Sequence, residues 1–436
     1  MTVEIVPGVG KWQAEHERIQ SDTRAGGLRE TRAAAFARFA ELGFPTTEHE
    51  SWRLTNVAPI AKQEWQAAGE GVAEESALAP LRLPEASVEL VFINGRLDRT
   101  HSRGAATAGV RVESLAAALP SADGDLSSFT RIADWEDRSF VALNTALAAD
   151  GAVVLVADGV RAGVIHAIFY TSAGEADAQV STRVLLRTGR SSEVSFVETH
   201  AGEGRYFSNV VTEIDGGEGS TIDHTKVVAE SGEAYHVGAV EVRQGRSSTV
   251  RTSLLGLDGL LVRNEVSTTM AGEGASCVLD GLYVLGGRQH FDANTRIIHD
   301  SPHTDSVELY KGVLDQAARG VFNGLIVVRP DAQKITAHQT SKNLLLSNEA
   351  IADSNPQLEI HADDVKCAHG STIGQLDETS LFYLRSRGIG LDQARGILTL
   401  AFAGEVVDRI RIESLRDRLR ASLLDRLAPA APKELS

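Results

Sequence analysis

The feature that most limits what this chain can fold into is a long stretch, residues 152–362, of short alternating apolar runs with no long helical pattern among them. Val180, Thr182, Val184 and Leu186 make one run; Val194/Phe196 and Val240/Val242 make others. Cys277, Leu279, Gly281, Tyr283 and Leu285 follow, then Gly320, Phe322, Gly324, Ile326 and Val328. Alternation with period two puts each set on one face of an extended strand. Gly, Ser, Asp and Glu separate the runs, and Gly-Glu-Gly at 202–204, 217–219 and 272–274 marks tight turns. Many short strands at near-regular spacing leave three solutions: a sandwich, a barrel or a stacked β-solenoid. The stretch is long for one sandwich, but its repeat is too degenerate to decide among the three.

Both flanks read differently. Ser21-Asp-Thr23 offers an N-cap, and Leu28, Ala35, Phe36, Phe39, Ala40 and Leu42 recur at helical spacing until Gly43-Phe-Pro45. Val88-Glu-Leu-Val-Phe-Ile-Asn-Gly95 reads as a strand, and 112–119 and 140–149 as further helices, so the first 150 residues are mixed and mainly helical. At the other end Asp377-Glu-Thr-Ser-Leu381 opens a helix and Gly388-Ile-Gly390 breaks it. Ala394, Ile397, Leu398, Ala401, Phe402 and Val406 mark a second helix, and Leu415, Leu419, Leu423 and Leu427 recur every four residues on a third. Burying a leucine is worth about 1.5–3 kcal/mol, so that stripe must dock, on its own chain or on a partner. The resulting division is 1–150, 151–375 and 376–436.

Charge and cysteine usage exclude several classes. With 43 basic and 59 acidic residues the net charge is −16, which opposes phosphate-driven binding to nucleic acid. No apolar run approaches the roughly 20 residues that span a bilayer. Met1-Thr-Val-Glu-Ile-Val-Pro-Gly8 lacks a secretory pattern, and two cysteines do not make a disulfide framework. A soluble protein of the reducing cytoplasm is expected. There is no GxxxxGK[ST] loop, no GxGxxG opening a helix and no GxSxG elbow. Nucleotide hydrolysis, dinucleotide redox and serine hydrolysis are therefore not expected of this chain, nor is a flavin fingerprint present. Any ATP-driven step would fall to a partner.

The segment with most chemical content is Asp363-Asp-Val-Lys-Cys-Ala-His-Gly-Ser-Thr-Ile-Gly-Gln-Leu-Asp377. If it is extended, Cys367 and His369 project to one face. Glu359, His361 and Asp363 share that parity and would join them if the strand were unbroken. A thiolate and an imidazole suit zinc, iron or copper(I), but fill only two positions of a four-coordinate site. The bland alternative is a small buried cysteine and a hydrogen-bonded histidine. His290, His299 and His303 also have metal-ligand spacing, without the helix or general base of a zincin.

Val365-Lys-Cys-x-His-Gly-Ser-Thr-Ile-Gly-Gln-Leu-Asp377, followed by Leu381-Phe-Tyr-Leu-Arg-Ser-Arg-Gly-Ile389, resembles the C-terminal signature of the SufB/SufD family of the SUF iron–sulfur cluster assembly system, in the form of its SufD branch. The resemblance continues through Arg263-Asn-Glu265, Gly281-Leu-Tyr283, Gln289-His290, Tyr310-Lys-Gly-Val-Leu314, Val321-Phe-Asn-Gly324, Asn343-Leu-Leu-Leu346 and Pro356-Gln-Leu-Glu-Ile360. Glu50-Ser-Trp-Arg-Leu-Thr55 is similar to the family's Glu-x-Trp-Arg-x-Thr. The SufB branch usually has an acidic-His-acidic run where this chain has Cys367-Ala-His369. The usual Ser-His-Gly-Ala-Thr is Ala368-His-Gly-Ser-Thr here.

The resemblance implies a right-handed parallel β-helix flanked by N-terminal and C-terminal helical regions. It implies a non-catalytic scaffold that pairs with a SufB-like paralogue, or with itself when isolated, and docks a SufC-like ABC ATPase through its C-terminal helices. Leu415, Leu419, Leu423 and Phe402 are the docking candidates. His369 and Cys367 are the candidates for contact with a nascent cluster or iron, held transiently at the partner interface rather than as a resident cofactor. Two rival readings are a SufB-like primary cluster scaffold and a β-helix carbohydrate-active enzyme. A purely structural solenoid adaptor, indifferent to both Cys367 and His369, is a third.

Overall fold

A computed structural model describes residues 9–21, 28–119, 128–174 and 176–427. Strands come in chain order as β1 (Gln66–Ala67), β2 (Ala86–Ile93), β3 (Arg96–Gly104), β4 (Val110–Ser114), β5 (Ala152–Val156), β6 (Arg161–Ser172), β7 (Ala178–Thr188), β8 (Glu193–Glu203), β9 (Tyr206–Gly216) and β10 (Thr221–Ala229). They continue as β11 (Tyr235–Gln244), β12 (Thr249–Asp258), β13 (Leu261–Met270), β14 (Ser276–Leu285), β15 (His290–His299), β16 (Asp305–Leu314), β17 (Arg319–Val328), β18 (Ile335–Leu345), β19 (Ile351–Ile360) and β20 (Val365–Gly374). From β5 onward the chain alternates between two sheets, odd strands in one and even strands in the other, each pairing in parallel with the strand two ahead. Stacked coils of this kind make a parallel β-helix, a β-solenoid of about eight turns. That settles the three-way choice left by the pattern.

Register is maintained from coil to coil, so like positions stack. Val194, Ile222, Val250, Cys277, Ser306 and Ala337 form one inward column of the even sheet. The apolar members of such columns meet those of the odd sheet in one continuous core that includes Val240, Val266, Phe291 and Phe322. Aromatic rings fit because glycines leave room beside them. A Cβ on Gly281 would lie 2.1 Å from the Tyr310 ring, and one on Gly312 would lie 2.2 Å from the Tyr283 ring. Tyr283 Oη donates to Asn343 Oδ1 at 2.5 Å. These are the Gly-Leu-Tyr, Tyr-Lys-Gly and Asn-Leu-Leu-Leu motifs, whose spacing is thus a packing requirement.

One corner of every coil holds a residue with left-handed backbone: Gly159, Ser191, Gly219, Ser247, Gly274, His303 and Lys334. In each case its N–H donates to a carbonyl of the following coil, as from Gly219 to Arg246 and from His303 to Gln333. Gly219 and Gly274 are the final residues of two Gly-Glu-Gly turns, where glycine meets the positive φ without strain.

The N-terminal region closes one end. β2 joins the even sheet beside β6, with β3 antiparallel to it, and β4 pairs antiparallel with β5. Helices α1 (Gln13–Ser21), α2 (Arg29–Leu42), α3 (Ala58–Lys62), α4 (Glu75–Leu78), α5 (Leu115–Ala118) and α6 (Ser139–Leu147) complete it. Phe39 of α2 and Phe140 of α6 pack on Phe207, Tyr235 and Val237 of the odd sheet's outer face. Two expectations change. Ser21 ends α1 rather than capping a helix, and Asp22 and Thr23 lie outside the described residues, as does the 1–8 segment. The 112–119 segment is half strand, because Val110 and Val112 pair with β5 before Ser114 caps α5 by accepting from Ala117 N–H at 3.2 Å.

At the C-terminus α7 (Glu378–Ser386), α8 (Leu391–Val407) and α9 (Glu413–Leu427) follow β20. Asp377 caps α7, its carboxylate accepting from Ser380 N–H at 2.8 Å. α8 and α9 lie across the outer face of the even sheet. No described helix is long and apolar enough to cross a membrane.

Candidate functional site

The coil farthest from the N-terminal region is uncovered. Among the described residues β19 pairs only with β17 and β20 only with β18, so each leaves one backbone edge open. Ile351, Ile360 and Ile373 on these strands are exposed.

Cys367 and His369 sit on β20, in register with Ala337 and Gln339 of β18. Both of those neighbours are buried and point into the solenoid. Cys367 and His369 therefore share one face, as the alternation predicts, and that face is the open mouth of the interior. Cys367 is half-buried against the core, which pushes its thiol up from the usual range. It becomes a good nucleophile or ligand only when a cation or metal draws off its proton. His369 is exposed. Beneath it Gln339 Nε2 donates to Glu308 Oε2 at 2.6 Å, and burial pushes the Glu308 carboxyl up to about 7.

Several other candidates are not part of this group. Glu359, His361 and Asp363 leave the shared face because β19 ends at Ile360 and β20 begins at Val365, with a turn between; Glu359 instead accepts from His361 at 2.8 Å. Cys277 lies three coils back on the column of Cys367, about 14 Å away at 4.8 Å per coil, so no disulfide links them. Its thiol is pushed up to about 12 by burial and belongs to the core. His290 contacts Thr55 Oγ1 at 2.9 Å on the outer face, His299 points inward to Thr304 and Ser306, and His303 occupies a corner. These three histidines do not converge.

The leucine stripe is a correction. Leu415, Leu419 and Leu423 are buried against Val197, Val227, Leu255 and Leu282 of the chain's own even sheet, so they offer no free face. The side chain of Leu427 is outside the described set. Phe402 is half-buried, with Lys311 Nζ 4.4 Å from its ring centroid. The large apolar side chains left exposed on these helices are instead Phe382 and Tyr383 on α7, Leu391 and Ile397 on α8, and Leu424 on α9. The adjacent aromatic pair Phe382-Tyr383 was the available signal, since its rings stand about 100° apart on the helix and a narrow contact stripe does not bury both.

The upstream motifs are structural. Arg263 donates to Glu265 Oε1 at 2.7 Å and also binds Asp292, while the Trp52 ring lies 3.7 Å from its guanidinium carbon. Thr55 Oγ1 donates to Asp292 Oδ2 at 2.6 Å. The Glu-x-Trp-Arg-x-Thr element is thus the clamp that ties the N-terminal region to the solenoid. A cleft of about 350 Å³ beside this clamp is lined by Trp52, Arg138 and Glu265, whose charges already pair with each other.

These features define a class: a parallel β-helix closed at one end by its own N-terminal region and open at the other. The chain belongs to the SufB/SufD family, since residues 169–402 match the SufBD core domain of the SUF system for FeS cluster assembly and 11–165 match the SufBD N-terminal region. It is 32% identical to an iron–sulfur cluster assembly SufBD family protein of Synechocystis, over 93% of this chain and 92% of that one. It is 29% identical to the iron–sulfur cluster assembly protein SufD of Escherichia coli, over 89% and 90%. Against SufD of Bacillus subtilis the identity is 28%, over 67% of each chain.

Proposed function

We propose that this chain is a SufD-type, non-catalytic scaffold subunit working in the cytoplasm. It pairs through its open coil with a SufB-like paralogue, docks a SufC-like ATPase through the exposed face of α7 and α8, and presents His369, with Cys367 beside it, to a cluster or iron assembled at the junction. The observation that carries this reading is the coincidence of three things in one coil: unpaired strand edges, uncovered apolar side chains, and the Cys-x-His pair facing the solenoid mouth. A second coil laid on β19 and β20 would satisfy the edges and enclose both side chains. The cluster is cargo in this scheme, passing on from the interface.

The test is co-expression with the paralogue and the ATPase under anaerobic conditions. His369→Ala is expected to leave the complex intact and folded while lowering its iron and acid-labile sulfide. Phe382→Ser with Tyr383→Ser is expected to lose the ATPase alone. Undiminished iron and sulfide with His369→Ala would remove that residue from the mechanism, and a stable cluster on the isolated chain would favour a primary scaffold.

A further inference from the structure

A second polar group is sealed within the solenoid, far from the Cys367 end. His200 on β8, Glu230 in the turn after β10, and His236 on β11 each place a nitrogen or oxygen within 4.8 Å of the others. All three are buried, and Phe169 stacks on the His200 ring at 4.9 Å.

Hydrogen bonding shows which ring nitrogens are free. His200 Nε2 lies 3.2 Å from Glu198 Oε2, and His236 Nδ1 lies 2.9 Å from Glu230 Oε1. Carboxylates only accept, so each of these nitrogens carries the proton and the opposite nitrogen holds a lone pair. For His236 that arrangement leaves Nε2 with no partner. Across Gly238 the Asn264 amide is also buried and unpartnered at both ends, and so is Lys226 Nζ. A Cβ on Gly238 would lie 2.5 Å from Asn264 Oδ1, 2.6 Å from Lys226 Nζ and 2.9 Å from His236 Nε2. Buried polar atoms gathered without partners in a dry interior are an unmet demand.

An ion placed between His236 Nδ1 and Glu230 Oε1, already 2.9 Å apart, displaces the proton from Nδ1 to Nε2, which lines the same Gly238 pocket as the Asn264 amide. A formed site needs donor atoms about 3.0–3.5 Å apart, so from separations of up to 4.8 Å His200 closes by at most about 1.8 Å. Two imidazoles and one carboxylate, with carboxylates or amides behind them, form the set that takes iron(II), cobalt(II) or zinc(II) and leaves positions open. Charge agrees. Glu198 and Glu230 together carry one more negative charge than Lys226 offsets, so the pocket favours a cation.

We propose that His200, Glu230 and His236 form an internal site for a divalent ion of the iron(II), cobalt(II), zinc(II) class. It is independent of the partner scheme above and needs neither Cys367 nor His369.

The test uses untagged full-length Cys367→Ser/His369→Ala protein made in cobalt-supplemented medium, because a sealed site loads as the chain folds. After washing with EDTA, which strips exposed ions, about one cobalt per chain is expected, with d–d bands and no thiolate charge transfer. Glu230→Gln and His236→Gln should each lower the retained cobalt at least tenfold. Folded, EDTA-washed protein without cobalt, or with undiminished cobalt in either variant, would overturn the site. Should both variants fail to fold, X-ray absorption on the parent decides: two imidazole ligands are expected, and fewer would sink the assignment.

Discussion

Glu308 lies in the inward column two coils behind His369, one below Gln339, and its environment makes it a pH sensor of folding. Burial raises its pKa from the usual 4.5 to about 7, against the opposing hydrogen bond from Gln339. Below 4.5 the carboxyl is protonated whether the chain is folded or unfolded, and the full stability is present. As pH rises toward 7 the unfolded chain ionises first, so stability falls, by up to about 3 kcal/mol, and above 7 this group adds no further change. Glu308→Gln keeps an acceptor for Gln339 and abolishes the titration. Urea midpoints at pH 5 and pH 8 should therefore differ less in the variant than in the parent, and equal differences would show that Glu308 titrates as an ordinary surface acid. At this scale the sequence was legible where chemistry is local. Cys367 and His369 are two apart on one strand, so alternation alone put them on a common face. Glu198 and His224 are 26 positions apart and meet only once coils stack in register, which no local pattern displays. His303 was misleading for a related reason: its place is set by a backbone angle and one N–H bond, which Gly, Ser, Lys or His can all satisfy.

Among the elements, α9 shows how a correct pattern can still leave its partner open. A stripe at every fourth residue demands a docking surface, and the sheet's outer face supplies it through Val197, Val227, Leu255 and Leu282. Arg418 Nη1 adds a bond to the Pro80 carbonyl at 2.8 Å, tying α9 to the N-terminal region. Leu419→Ala should cost about 2–5 kcal/mol in chemical denaturation, as expected for a cavity at a closed site. A cost below about 0.5 kcal/mol would mean that α9 rests loosely on the sheet, and that the stripe could be released to a partner after all. The boundaries that were read well had local causes: the Asp377 cap, Gly43 at φ 63 after α2, and the turns at Gly219 and Gly274. Those read poorly, Ser21 and the 112–119 segment, were decided by β4 pairing with β5 and by where α1 stops, neither of which propensity contains.

The whole molecule is asymmetric along its solenoid axis. β2, β3 and β4 and the N-terminal helices cover the first coil, so there the parallel sheets end in antiparallel strands, β3 and β4, in place of a bare parallel edge. Nothing comparable follows β20 among the described residues, and the sequence pattern could not reveal this, because alternation is the same in a covered strand and an edge strand. The stacking period itself was hidden for a physical reason: successive left-handed corners are 32, 28, 28, 27, 29 and 31 residues apart, so turns absorb the differences while strands stay in register. An exposed parallel edge with Ile360 and Ile373 beside it favours pairing with another edge of the same kind. The isolated chain is therefore expected to self-associate in sedimentation velocity, with a weight-average mass that rises with concentration. Ile360→Lys with Ile373→Lys places two charges at the mouth, where both side chains are already exposed, so the fold should lose less than about 0.5 kcal/mol while self-association and capture of the SufB-like paralogue both fail. If the double variant binds the paralogue as the parent does, the open coil is not the pairing surface, and the interface must lie on a covered side of the solenoid.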